Sequence, residues 1–353
     1  PLKNAGDKMN LRSVYDSVSA VLDGIDFGEL YCGFHRYGMA LYNADEACVD
    51  GNMIPRPDVF MGNTAVNYDC RYIAIWDIDL NPVDDPKLLA YHMVHEMFHC
   101  HQFANGESRY PDDLALLNYP DDALNFTRKY REDLCLADAL EHKNAEKLRE
   151  FAAIRALRAQ VFPAAVREEL KTETIEGMAE YVGLRALRRI APDKFDSVLD
   201  GYLDILREDG ELLFNVRKMC YYSGAVFFLC LEMSDIPVRN DFTGSATAYE
   251  SVSINISGVS VDVSPSETVE RGFLAYKKKK EAAVAAHTAN SAYTECRARI
   301  CGYDPMNMLR SGDLIYCSHF VFLKCGEEIK RILSPVVLKV APGSDRDVIG
   351  YYI

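Results

Sequence analysis

Residues 88–103 read LLAYHMVHEMFHCHQF, and four of the chain's eight histidines fall inside them. His92, His95, His99 and His101 lie within ten residues of one another, with Glu96 among them. The flanks place the stretch on a helix. Asp84 or Asp85 can serve as N-cap, Pro86 occupies the first turn, where proline is favoured, and Gly106 is a natural stop. On such a helix His95 and His99 sit one turn apart on a single face. Both imidazoles can then reach one small ion.

The texture changes on either side of this helix. Residues 10–22 have helical apolar spacing. From Phe27 to Leu80 the chain is rich in aromatic and β-branched residues punctuated by Gly, Asn, Asp and Pro, as in ELYCGF (29–34), YGMALYN (37–43) and CRYIAIWDIDL (70–80), which predicts strands and turns. After the histidine helix, 121–142, 144–162, 166–193, 194–206 and 221–233 all read as helices. Beyond Pro237 the strand texture returns in AYESVSINISGVSVDVS (248–264) and in 313–325, 335–340 and 348–353. One further helix begins after Ser266. The expectation is an α+β chain. Strands at about 27–80 and a helical block at about 84–236 form a domain over 1–240. Residues 241–353 form a β-rich accessory domain with one helix.

Composition narrows the partners. A formal net charge of −14 over 353 residues argues against nucleic acid, which needs a basic face for its phosphates. The run Lys277–Lys280 reads as a solvated helix face. No apolar run of 18 residues appears, so no membrane span is expected. The eleven cysteines are scattered without a Cys-x-x-Cys pair, as expected of reduced, mostly buried thiols. A cytoplasmic location follows as an expectation, with a trimmed export signal left open by the start at Pro1. Oligomeric state is not legible.

The spacing His95-Glu96-x-x-His99 is the arrangement of zinc hydrolases. Two imidazoles bind, and the glutamate beside them faces a ligand in the open coordination position. Zinc lowers the pKa of a bound water to about 7, and a carboxylate placed there takes its proton. His92, one turn before Glu96, is expected to edge the site, and His101 to lie on another face, at the surface or in support. A third protein donor is needed. A histidine in the extended motif is excluded, because Gln102 and Asn105 stand at its glycine and histidine positions. A carboxylate from a later helix is the other option. Glu173, Glu176 and Glu180, spaced three and four apart among apolar and small residues, share one face of a regular helix. Gly177 would let that helix approach the histidine helix closely.

At this point the chain resembles a family. His95-Glu96-x-x-His99 followed by Glu176-Gly177-Met178-Ala179 is similar to the gluzincin zinc metallopeptidases, the aminopeptidase branch above all. Tyr221 and Gly224 in CYYSGAVFFLCLE match that branch's Tyr-x-x-Gly helix. The resemblance spans about residues 85–233. It implies one Zn2+ per chain on His95, His99 and Glu176, with Glu96 as general base. It also implies Tyr221 as donor to the oxyanion, with Tyr222 as the fallback, and a peptide or protein substrate. Glu180 would orient a ligand histidine. Glu173 would be a surface residue or an anchor for a substrate amine. The chain departs from the family in the long stretch 100–175 between His99 and Glu176. It also lacks the Gly-x-Met-Glu-Asn strand, for which MGNTAVN (61–67) is nearest in place but without an acid. Residues 71–78 are the expected edge strand for an extended peptide. Two other readings stay open: a binding or regulatory module with a structural or degenerate metal site, and a zinc hydrolase of a non-peptide substrate.

Overall fold

The computed structural model describes residues 10–238 and 241–353. The expected boundary near 240 therefore falls at residues outside those described. The chain is a mixed α and β protein with a helical block and a C-terminal β-sheet.

Helices α1 (Leu11–Asp23) and α2 (Phe27–Leu30) lead into strands β1 (Gly38–Tyr42), β2 (Glu46–Val49), β3 (Asn52–Pro55), β4 (Thr64–Tyr68) and β5 (Arg71–Asp77). The sheet order is β3-β2-β1-β5-β4, with β1 and β5 parallel and the other pairs antiparallel. Both faces are covered. Met39, Leu41, Ala74 and Trp76 join the main core, while Ala40, Tyr42, Ile73 and Ile75 pack with Phe60 on the other side. Two-sided burial explains why β5 reads as a continuous apolar run. The stretch 29–34 is not a strand. Asp26 caps the single turn α2, and Gly33 turns the chain at a φ of +75°.

The helical block comprises α3 (Pro86–Ala104), α4 (Asp113–Leu117), α5 (Ala123–Glu141), α6 (Ala145–Val161), α7 (Pro163–Thr172), α8 (Met178–Ile190), α9 (Pro192–Arg207) and α10 (Val216–Met233). Asp85 caps α3, accepting from the amides of Lys87 and Leu88. Twelve of the nineteen residues of α3 are buried, so it is a core helix and not a surface amphipathic one. Between α7 and α8 the chain winds as a π-helix over Glu173–Gly177. The close approach at Gly177 is to α10, not to α3: a Cβ there would meet the Cα of Gly224 at 2.6 Å. The close approach of α3 to α8 falls instead at Gly183, which abuts Tyr91.

Residues 248–264 alternate as expected but form no strand. They form turns at 248–251 and 257–258 joined by irregular chain, with Val252, Ile254, Val261 and Val263 packed against the main core. Arg149 donates to the carbonyls of Asn255 and Ser257, at 2.8 and 2.7 Å. The alternation is therefore one of burial, and side chains of helices take the place of ladder partners.

Helix α11 (Glu267–Ala289), capped by Ser266, precedes β6 (Tyr293–Tyr303), β7 (Met308–Ser311), β8 (Leu314–Cys317), β9 (Val321–Cys325), β10 (Glu328–Ile332), β11 (Val336–Val340) and β12 (Asp347–Tyr352). These form an antiparallel sheet of order β10-β9-β6-β12-β11-β8-β7. Leu114 of α4 enters its core, Phe273 of α11 packs with Phe126 and Phe214, and Arg346 pairs with Asp112 at 2.8 Å. No helix among the described residues is long and apolar enough to cross a membrane.

Candidate metal centre

Helix α3 delivers His95 and His99, and the π-turn delivers Glu176. The three donor atoms converge. His95 Nε2 and His99 Nε2 are 3.1 Å apart, His99 Nε2 is 3.2 Å from Glu176 Oε2, and His95 Nε2 is 3.7 Å from the same oxygen. Bonds of 2.0–2.1 Å in a tetrahedral site separate donors by about 3.3 Å. The triangle therefore fits a zinc ion, and the donor set of two imidazoles and one carboxylate is one that zinc accepts.

Each donor is oriented from behind. His99 Nδ1 lies 2.7 Å from Gln102 Oε1, and Gln102 Nε2 donates to the carbonyl of Ile175 at 3.0 Å. The amide orientation makes Nδ1 the protonated nitrogen, leaving the Nε2 lone pair for the cluster. Glu180 Oε2 lies 2.5 Å from His95 Nδ1, the nitrogen facing away from the cluster. The other oxygen of Glu180 accepts from Tyr91 and Tyr202. Burial pushes Glu180 up to about 7, against the lowering effect of the Tyr202 hydrogen bond. Arg217 donates to Glu176 Oε1 at 2.9 Å and also pairs with Asp113. One oxygen of Glu176 is thus held by a guanidinium and the other left to the cluster. Burial would raise the Glu176 pKa, but His99, His95 and Arg217 hold it well below the usual carboxylate range. Desolvation lowers His99, and the facing Glu176 overrides it and raises the imidazole to about 9.

Glu96 is buried on the cavity wall, and no described group hydrogen-bonds its carboxylate. Burial pushes its pKa up. Tyr221 stacks its ring parallel to His95, 6.0 Å between centroids, and burial with the neighbouring Glu176 pushes its pKa up. Tyr222 packs edge-on to Tyr202. His95, Glu96, His99, Glu176, Glu180, Arg217 and Tyr221, with Tyr91, Tyr202 and Tyr222, line one cavity of about 1180 Å³.

The remaining expectations divide. His92 edges the cavity, stacked on Trp76 at 4.8 Å, and burial lowers it to about 4. His101 is not at the surface: it is buried among Tyr31, Phe34, Phe98 and Phe242. Glu173 is neither a surface residue nor open to a substrate amine. Arg155 holds it at 2.6 Å and Ser223 donates to it at 2.6 Å. A regular helix would set Glu173 and Glu176 about 60° apart, and the wider π-turn sends them to different sides. The edge strands of this sheet are β3 and β4, not 71–78, because β5 is hydrogen-bonded on both sides; of the two, β4 borders the cavity, through Thr64. Arg217, Tyr91, Tyr202 and Gln102 were not found from sequence. Gln102 was within reach, three residues after His99, whereas the others had no signal before the helices were packed.

No protein-family model matches the chain, and no curated protein or solved structure matches it either.

Proposed function

We propose that the chain is a zinc-dependent hydrolase of peptide bonds with a gluzincin-like arrangement, in which His95, His99 and Glu176 hold the ion. The observation that carries the reading is the donor triangle with an unpaired, desolvated carboxylate, Glu96, beside it. A structural site has no use for such a group. When bound, zinc supplies a water of lowered pKa and polarises the scissile carbonyl.

Glu96 takes the proton of the attacking water and returns it to the leaving amine; burial favours its protonated form, which suits the second step. Tyr221 is fixed by its stack on His95 and donates its hydroxyl to the developing oxyanion. Arg217 and Gln102 hold their ligands in a single pose. Edge strand β4 offers unpaired backbone groups, and Asn63 and Thr64 at its start line the cleft, where an extended peptide would add as a further strand.

The test is metal content with turnover. The purified protein is expected to bind about one zinc per chain and to cleave members of a peptide library. Glu96→Gln is expected to retain the zinc and lose cleavage. Zinc bound with no peptide cleaved by the wild type overturns the reading.

A further inference from the structure

The cleft is not built by the helical block alone. Residues 303–307, from the end of β6 to β7, and 318–320, between β8 and β9, line the same cavity as the histidine cluster. These two segments are tied together. Ser318 N donates to the carbonyl of Asn307 at 3.0 Å. Asp304 Oδ1 accepts from the amide of Met306 at 3.0 Å, and Oδ2 accepts from Asn307 Nδ2 at 2.7 Å and meets His319 Nδ1 at 2.7 Å. Both oxygens of Asp304 are thus consumed within the loops, and its role is to aim His319. With Nδ1 held, Nε2 is the nitrogen left for a ligand, and it donates to one only in the imidazolium form.

A second group faces the cavity from α10. Lys218 lines it, half-buried, and no Asp or Glu among the described residues lies within 4.0 Å of its ammonium. Its neighbour Arg217, by contrast, is bound to Asp113 and Glu176. Lys218 is thus a cation on the cavity wall with no acid of the described chain to answer it. Met306 and Phe320 border the same cavity, and such apolar neighbours strengthen a charge pair formed there.

We propose that Lys218 and His319 hold a carboxylate of the substrate, so that the cleft selects peptides bearing an acidic side chain or a free C-terminal carboxylate. Lys218 supplies the charge, and His319, as the imidazolium held through Nδ1–H on Asp304, donates Nε2–H to the same carboxylate. The C-terminal sheet is then part of the binding site. The peptide nature of the ligand rests on the function proposed above; the anion site itself rests on these residues.

The test uses the full, zinc-loaded chain carrying Glu96→Gln, so that labelled peptides bind without being cut. Three peptides of one backbone are compared by fluorescence anisotropy: an internal glutamate with an amidated end, a neutral sequence with a free carboxyl end, and a neutral amidated sequence. One of the first two is expected to bind about tenfold or more tightly than the third, and the tighter one identifies the source of the carboxylate. Lys218→Met is expected to erase that preference without weakening the neutral peptide, and Lys218→Arg to restore it. His319→Gln and Asp304→Asn are expected to reduce it together. Equal binding of the three peptides, no binding by any, or a preference that survives Lys218→Met overturns the inference. Cleavage by the wild-type chain reads separately. Anion preference without cleavage upholds this site and sinks the hydrolase, and cleavage without anion preference does the reverse.

Discussion

Two clusters of buried charge lie on adjoining helices, and they are built on opposite plans. In the first, Glu132, Glu169, Glu173 and Asp133 meet Arg155, Arg158 and Lys129. Arg155 bridges Glu132 and Glu173, and Arg158 bridges Glu132 and Glu169, so the acids are answered by the protein's own cations. Where the balance falls short, at Asp133, burial pushes the carboxyl up to about 7. In the second cluster Glu96, Glu176 and Glu180 face two imidazoles and one guanidinium, Arg217, which is itself shared with Asp113. The first cluster closes on itself. The second leaves an excess of negative charge and a convergent set of lone pairs, which a divalent cation would neutralise. The difference separates a buried network that holds helices together from one whose donors converge and could hold a cation, although Glu173 of the first and Glu176 of the second are only three residues apart.

That contrast can be broken experimentally. The largest effect is expected from Glu96→Gln: turnover should fall by about 10² to 10⁴, while the melting temperature holds or rises, because a buried unpaired charge is removed. A marked loss of stability would place Glu96 in the structural class. Glu132→Ala should do the opposite. Leaving Arg155 and Arg158 short of a partner is expected to cost about 3–5 kcal/mol in denaturant unfolding, with zinc content of the folded fraction unchanged.

The pair Glu173→Ala and Glu176→Ala sharpens the comparison within one turn. Glu176→Ala should lose zinc by metal analysis after dialysis, and Glu173→Ala should lose stability but keep zinc; the reverse pattern would mean the π-turn is misassigned. A smaller effect is expected from Gln102→Ala, about 10–100-fold in zinc affinity by competition with a chelating dye.

The smallest concerns His101. Burial, with a contribution from His35, lowers its pKa to about 4 in the folded chain, below the ordinary value of about 6.5. The unfolded chain therefore binds more protons between those values. The stabilising contribution is present above about pH 6.5 and is lost as pH falls toward 4. His101→Phe should flatten this slope in melts run from pH 7 to 4. An unchanged slope would assign the acid sensitivity elsewhere.

Much was already determined by local order. A proline in the first turn after an aspartate cap forces α3 to begin at Pro86, and an interval of four residues on any α-helix puts His95 and His99 on one face. Those constraints act within a few residues, so they survive without knowledge of the fold. Glu176 is singled out from Glu173 and Glu180 only through its resemblance to a family motif, and the physical reason for it, the engagement of Arg217, and the entry of the C-terminal loops into the cleft could not be read that way. The first depends on a π-turn, next to the crossing where Gly177 and Gly224 let two helices touch. The others join residues more than forty positions apart, as with Glu176 and Arg217, or from separate sheets, as with Thr64 and His319. Which charges meet across such distances is set by how whole elements pack, and packing is a property of the assembled chain rather than of any window of its sequence.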